Sequence, residues 1–510
     1  MKKNLSRRDF LKISGALSMG AIGSPYLKLF PPEVAGASGK KNILIIVFDA
    51  FSARHISTYG YKRETTPNIS RLAERAIVYH NHHSGGNFTT PGTASLLTGL
   101  LPWRHRAFAL YIPVLDSLAD KSIFHSFQDY HRIAYSHNPA VVTLLNQFSS
   151  GLNQIIPLER FLLNSDETLK KLFTQDAETA LVAWTRTMKN TDGHVYSLFL
   201  SSLYEKYQKE KFAPWAGQFP RGMPSVYENN YFTLEMVIDW LGNKASDFSR
   251  PFFGYFHFIP PHDPYGTRAD FVDVFLDDGF KPAQKDDDAD FYGGPSQDKM
   301  PEWRQRYDEF ILYVDSEFGK LFDQLEKSGV LDDTWVILTS DHGEHLERGI
   351  AGHLTPVLYE PVIHIPLMIF EPGRSTRTDI YTPTSAVDML PTLLHLADKP
   401  IPDGLEGRII LPFSNEILTS ERSIYAVQSW HSTADKPMTE ITLAQIKGDY
   451  KLMYFTGYEE LKGKERVELY NLAEDPEELN NLFSDRSDIG KLLLDELKNK
   501  LNEMNKPYLK

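Results

Sequence analysis

Eight residues from Lys41 to Phe48, Lys-Asn-Ile-Leu-Ile-Ile-Val-Phe, are almost wholly apolar and then stop at Asp49. A continuous β-branched and aliphatic run fits a strand covered on both faces, as in a parallel sheet. The pattern recurs at Thr334 to Thr339, capped by Ser340-Asp341-His342-Gly343-Glu344. It recurs again at Phe252 to Ile259, which ends in Pro260-Pro261-His262-Asp263-Pro264. Helical patterns separate these strands: Pro67 to Ala76, Asn230 to Leu241 and Tyr307 to Ser328. Such alternation predicts an α/β sandwich with a mostly parallel central sheet between helices. Ligands of open sheets gather at the carboxyl ends of strands, and here each strand delivers a carboxylate or an imidazole to that end.

The stretch Asn87 to Pro102 reads as a helix start, with Thr90 as cap and Pro91 in the first helical position. Thr89 then stands just before the cap. There the free amides and the positive end of the helix dipole favour an anion such as phosphate or sulfate.

The first residues carry a twin-arginine pattern, Ser6-Arg7-Arg8-Asp9-Phe10-Leu11-Lys12. A mildly apolar stretch, Ile13 to Phe30, and the small residues Ala35-Gly36-Ala37 complete an export signal over residues 1–37. It implies the twin-arginine translocase as a partner, export in the folded state, and a periplasmic or extracellular location. The net charge is -13, and the prefix holds six basic residues against two acidic ones, so the remainder sits near -17. That balance argues against nucleic-acid or anionic-membrane binding. With no cysteine, the exported fold uses no disulfides.

A catalytic domain is expected over 38–422, interrupted by insertions at about 140–228 and 265–305 that shape a substrate cleft. The second insertion contains Lys285-Asp286-Asp287-Asp288-Ala289-Asp290, read as a solvated loop because it lacks the spaced ligands of a calcium loop. A smaller α+β subdomain over 423–510 carries strands at Ile441 to Ile446 and Tyr450 to Phe455, and a final helix at Ile489 to Met504.

Taken in order, these segments resemble the sulfatase family of the alkaline-phosphatase superfamily. Asn42 to Asp49 is similar to the family's first strand and metal-binding Asp. Tyr59-Gly60, Thr66-Pro67-Asn68-Ile69, Pro261-His262-Asp263-Pro264, Ser340-Asp341-His342-Gly343, Gly352-His353, Asp388 to Leu393 and Glu468 to Leu472 resemble its further motifs. Thr89 to Gly99 matches the nucleophile signature, usually written CxPSRxxLLTG, with Thr89 in the nucleophile position. The departures are specific. Threonine cannot become formylglycine, because oxidation of its secondary alcohol gives a ketone. Gly92 and Thr93 replace the usual Ser and Arg, and Ala50 replaces the second Asp of the usual pair. The combination resembles the threonine-nucleophile branch, which includes phosphodiesterases and phospho-group transferases.

A threonine hydroxyl barely ionises at neutral pH and needs a base or a metal. Asp49, Asp341 and His342, with the Thr89 oxygen, offer four ligands for one divalent ion. The imidazole and the missing carboxylate at Ala50 suit manganese or zinc better than magnesium or calcium. His262 and His353 are candidate catalytic and substrate-binding groups, as general acid or oxyanion partner, and a second metal is open if they converge with a carboxylate. Arg54 either clamps the anion or pairs with a surface acid. Glu344 is expected to support the metal ligands. His257 is equally a satisfied core histidine, and His82-His83 are either substrate contacts or part of a solvated loop. The expected activity is hydrolysis or transfer of phosphate or sulfate esters through a covalent Thr89 intermediate, with diesters or phosphonates favoured. The substrate is a small anionic ester or a glycan or lipid head group. A sulfuric ester hydrolase working without formylglycine, or a silent anion-binding relative, are the alternatives.

Overall fold

Asn42–Asp49 (β1) is the strand its composition demands, and it lies inside an eight-stranded sheet. The other strands are Ile77–Tyr79 (β2), His131–Ser136 (β3), Gln154–Ile155 (β4), Phe252–Pro261 (β5), Thr334–Thr339 (β6), Leu367–Phe370 (β7) and Thr378–Ile380 (β8). Their spatial order is β8-β2-β7-β6-β1-β5-β3-β4. All run parallel except β7, which is antiparallel to both of its neighbours. The computed structural model describes residues 39–163, 206, 210, 213–226, 230–291, 299–414 and 422–509. The export segment, most of the first insertion and the Tyr292 to Pro295 stretch therefore lie outside the described residues.

Alternate residues of β1 enter different layers. Leu44, Ile46 and Phe48 pack with helices Pro67–Ala73 (α1), Leu234–Lys244 (α4) and Met300–Lys327 (α5). Ile43, Ile45 and Val47 pack with Thr89–Thr98 (α2), Pro139–Gln147 (α3) and Met389–Leu396 (α6). Burying a large aliphatic side chain contributes about 1.5–3 kcal/mol, so a strand with both faces covered excludes polar residues until it reaches its end. That end is where the chemistry sits.

The C-terminal residues form an antiparallel sheet, Ser423–Gln428 (β9), Ile441–Lys447 (β10), Tyr450–Thr456 (β11) and Arg466–Asn471 (β12), with helix Ser487–Asn505 (α7) against one face. The acidic stretch 286–290 is not simply solvated. Asp288 is buried and receives Arg466 of β12 at 2.7 and 2.8 Å, while Lys285 reaches Glu347 at 2.8 Å. Glu360, in the helical turn Glu360–Ile363 that precedes β7, and Glu478 enclose the buried Lys451 of β11 at 2.9 and 2.8 Å. Buried charges persist only when paired, and the Arg466–Asp288 and Lys451–Glu360 pairs fasten the C-terminal sheet to segments that precede it in the chain.

Two local expectations are corrected. Helix α2 begins at Thr89 itself, because Phe88 adopts the extended cap conformation (φ -151°, ψ 172°) and its carbonyl takes the first helical bond, from Gly92 at 3.1 Å. Pro91 is tolerated in that first turn because no intrahelical bond is lost there. His82 and His83 are buried, in a two-residue strand beside Thr384–Ser385. His82 Nδ1 contacts Thr384 Oγ1 at 2.9 Å, and His83 Nε2 contacts Glu360 Oε2 at 3.2 Å, so neither lies in a solvated loop.

Candidate active site

The register of the sheet sets the site. Val47 of β1 is level with His257 of β5 on one side and with Thr339 of β6 on the other. Two residues further on, Asp49 and Asp341 come together beside His257. His257 Nε2 lies 3.3 Å from Asp49 Oδ2 and 3.6 Å from Asp341 Oδ2, and all three side chains are fully buried. His342 adds a second imidazole, its Nε2 3.2 Å from Asp49 Oδ1, 3.6 Å from Asp341 Oδ2 and 3.4 Å from Thr89 Oγ1. Its Nδ1 donates to the Gly343 carbonyl at 2.8 Å, so Nε2 is the ring atom that faces the cluster.

The turn after β1 is tightly held. Ala50 has φ 57°, a left-handed conformation that costs a residue with a side chain about 1–2 kcal/mol. Tyr307 of α5 donates to the Ala50 carbonyl and accepts from the Ser52 amide at 3.0 Å, and Ser340 Oγ accepts from the Phe51 amide at 3.0 Å. Asp341 Oδ1 accepts from the His342 amide at 2.9 Å and the Ala50 amide at 3.4 Å. These bonds fix the turn after Asp49 and the Asp341 carboxylate, and leave Asp341 Oδ2 free of hydrogen bonds.

Helix α2 approaches the Asp341 turn backbone to backbone. A Cβ added at Gly92 would stand 2.2 Å from the Asp341 carbonyl oxygen, so only glycine fits. Ser84 Oγ donates to that same carbonyl. Thr89 is thereby brought to the cluster at the N-terminus of its helix. Asn87 Nδ2 donates to the carbonyls of His353 and Thr355 at 2.9 and 2.7 Å, tying the His353 loop to the same place.

His353 follows the hairpin of His345–Glu347 and Ile350–Gly352. Its ring lies 4.3 Å from that of His342 and 4.6 Å from that of His262, so the three imidazoles form one chain. Its Nδ1 is 3.3 Å from Glu344. Glu344 therefore orients His353 rather than the Asp341-His342 pair. His262, after β5, is held by the Asp263 carbonyl at 2.6 Å and Asp263 Oδ1 at 3.0 Å, with its ring partly exposed at the rim. Arg54 instead reaches Glu477 at 2.5 Å, which realises the ion-pair alternative.

Two further contributors join the cluster, His257, which the sequence left open, and Asn138, which it missed. His257 carries the same signal as any core histidine on an apolar strand, and only the register reveals it. Asn138 caps α3, its Oδ1 accepting from the Ala140 amide at 2.8 Å. Its Nδ2 donates to Asp49 Oδ2 at 2.6 Å and to Thr89 Oγ1 at 3.3 Å. An Asn-Pro step after an apolar strand marks a helix start, but nothing local says that the cap also faces the first strand.

The charges respond to this crowding. Burial alone would raise the Asp49 carboxyl, but His257 and His342 outweigh it and hold the group well below the usual range. Burial and the neighbouring Asp49 push Asp341 up. Burial opposes the His342 cation, yet Asp341 and Asp49 draw it up to about 9. Burial likewise opposes the His262 cation, but Asp263 and Asp49 raise it well above its ordinary value.

The donor set fits a divalent cation. Asp341 Oδ2 is buried without a hydrogen-bond partner, and Asp49 Oδ1, although close to His342, is out of hydrogen-bonding alignment. Carboxylate oxygens and imidazole nitrogens converge there on a shared point. Asp49, His257 and Asp341 can hold an ion together, as can His262, Asp263 and His353 at the rim.

Comparison with known proteins agrees with this arrangement. The model of the family described as Sulfatase matches residues 41–399, and that described as N-sulphoglucosamine sulphohydrolase, C-terminal, matches residues 355–507. Choline-sulfatase of Rhizobium meliloti (strain 1021) is 25% identical over 472 residues, covering 87% of this chain and 83% of that protein. The multifunctional alkaline phosphatase superfamily protein PehA of Trinickia caryophylli is 24% identical over 497 residues, covering 88% of this chain and 92% of that protein. The phosphonate monoester hydrolase structure of Agrobacterium radiobacter shares the fold with a TM-score of 0.64 at 19% identity, covering 92% of this chain and 96% of that one. The chain belongs to the sulfatase family of the alkaline-phosphatase superfamily and is a hydrolase of that family.

Proposed function

We propose that this chain is an exported, metal-dependent enzyme that takes the phosphoryl group of its substrate onto Thr89, and that phosphate diesters or phosphonates are preferred over sulfate esters. The observation that carries this reading is the Thr89 hydroxyl, placed at a helix N-terminus within 3.4 Å of His342 and 3.3 Å of Asn138 in a chain without cysteine. Asp49, Thr89, Asp341 and His342 would hold a divalent ion, which would lower the Thr89 hydroxyl pKa and polarise a phosphoryl oxygen.

The remaining work falls to side chains and backbone. The first-turn amides of α2 face the anion and offset charge that develops on its oxygens. Thr89 enters as the alkoxide, its proton already given up to solvent, and its Oγ bonds to phosphorus as the bond from phosphorus to the leaving oxygen breaks. His262, held cationic by Asp263, gives its proton to that oxygen. Neutral His262 then takes a proton from the attacking water. The new bond from water to phosphorus forms as the Thr89 ester breaks, and Thr89 leaves as the alkoxide with which the cycle began. His353, oriented by Glu344, binds the anion beside it.

The preference for phosphorus follows from release. A formylglycine hydrate expels sulfate by collapsing to its aldehyde, whereas a threonine ester must be broken by attack at the central atom. Phosphorus accepts that second attack more readily than sulfur. The names of the relatives span both chemistries, and phosphonate monoesters appear among the structural neighbours. Export rests on Arg7-Arg8 and Ala35-Gly36-Ala37, and export in the folded state suits an enzyme loaded with its metal beforehand.

The test assays metal-reconstituted protein on aryl phosphate mono- and diesters, phosphonate esters and aryl sulfates, with mass spectrometry of enzyme quenched in turnover. A phosphoryl adduct on the Thr89 peptide is expected, lost in Thr89→Ala, with partial activity in Thr89→Ser. Efficient sulfatase turnover with no phosphoesterase activity overturns the reading.

A further inference from the structure

We infer that His257 is a direct ligand of the divalent ion and supplies the donor that Ala50 lacks. The inference rests on the reading of the Asp49–Asp341–His342 cluster as a metal centre. Where the usual family pair of acids stands, this chain has Asp49 followed by Ala50, whose methyl group cannot coordinate. The neighbouring strand β5 brings an imidazole into the same space.

Spacing supports the role. With Thr89 as the fifth donor, ligands about 2.1 Å from a common centre are separated by about 3.0–3.6 Å. His257 Nε2 stands 3.3 Å from Asp49 Oδ2 and 3.6 Å from Asp341 Oδ2. His342 Nε2 stands 3.2 and 3.6 Å from the same two carboxylates. The two imidazoles thus flank Asp341 Oδ2, the buried oxygen without a partner, at equal distance.

The far side of the ring supports it too. A ligating histidine fixes its tautomer by donating its other ring N–H to an acceptor. His257 Nδ1 lies 2.9 Å from the hydroxyl of Tyr255, two residues back on the same buried strand. With Nδ1 protonated, the phenol oxygen accepts, and Nε2 is left to face the two carboxylates. Two imidazoles and two carboxylates select zinc or manganese over calcium, which favours an all-oxygen shell.

The test loads the full protein with Mn2+ and counts bound imidazole nitrogens by pulsed EPR, and measures Zn2+ affinity by chelator competition. Wild type is expected to show two nitrogens, with one in His257→Ala and one in His342→Ala. Zn2+ affinity should fall more than 100-fold in His257→Ala, beyond the 10–100-fold typical of residues that only support a ligand. Wild type with one nitrogen, or a folded His257→Ala that binds Zn2+ within tenfold of wild type, overturns the inference. Failure of wild type to take up either ion instead overturns the metal-centre reading on which it rests, and the inference with it. If His257→Ala does not fold, the wild-type nitrogen count decides alone.

Discussion

Asn138 performs two jobs with one amide, and substituting it separates them. Its Oδ1 caps α3 through the Ala140 amide, and loss of such a cap costs about 1 kcal/mol. Its Nδ2 donates to the buried Asp49 carboxylate at 2.6 Å, and hydrogen bonds to charged groups contribute about 1.5–3 kcal/mol. Asn138→Ala removes both, so a loss of about 2.5–4 kcal/mol in urea unfolding is expected. Asn138→Asp keeps the cap but sets a second carboxyl against Asp49. Two buried carboxylates at that distance cannot both ionise, so one retains a proton and its pKa rises. The sign is then fixed: Asn138→Asp approaches wild-type stability at low pH, where the retained proton replaces the amide donor, and falls below it as pH rises through that raised pKa. Asn138→Ala shows no such added pH dependence. Because Nδ2 also lies 3.3 Å from Thr89 Oγ1, kcat/KM on aryl phosphodiesters should drop about 10–100-fold in Asn138→Ala with metal supplied in excess. Wild-type kcat/KM in a folded Asn138→Ala would refute the site geometry. Indistinguishable pH profiles for the Ala and Asp variants would refute the shared-proton argument.

Three further outcomes are expected. Tyr307→Phe leaves the Ser52 amide and the Ala50 carbonyl without their hydroxyl partner, so stability falls by about 1–3 kcal/mol and metal affinity falls with it, read by calorimetry and chelator competition. Arg466→Ala strands the buried Asp288 and should cost about 3–5 kcal/mol, with a smaller cost when Asp288→Asn is already present; equal costs in both backgrounds would show the pair is uncoupled. Burial lowers His105 to about 3, so the unfolded chain takes up a proton there between about pH 6.5 and 3 that the folded one refuses. Stability therefore falls with decreasing pH across that window, and His105→Asn should reduce the slope by up to one proton, about 1.4 kcal/mol per pH unit, in urea titrations.

The parts of this molecule legible in its sequence are those where one residue type has one physical solution. Lys41 to Phe48 could only be a strand covered on both faces, and Thr334–Thr339 has the bounds its composition suggested. Asp49, Asp341 and His342 stood at the ends of such runs, and the structure brings all three to Thr89. Helix α5 starts at Met300, earlier than expected, because its first turns carry Glu302, Arg304 and Gln305 and show little apolar periodicity. What stayed hidden depends on register between distant segments. His257 and Asn138 join the cluster because β5 lies beside β1 and β3 lies beside β5, and no local pattern encodes that adjacency. Asp288 likewise became structural only once β12 supplied Arg466.

The contact between Gly92 and the Asp341 carbonyl has a consequence for the mutational history of this chain. Restoring the family's usual C-x-P-S-R run calls for a serine at 92, yet its Cβ would collide with backbone on the partner turn, where Ser84 already holds that carbonyl. The closure of helix onto turn therefore holds position 92 at glycine whatever residue stands at 89: a Thr89→Cys variant would present its thiol without the serine that accompanies cysteine in the usual run, so one substitution does not rebuild that signature.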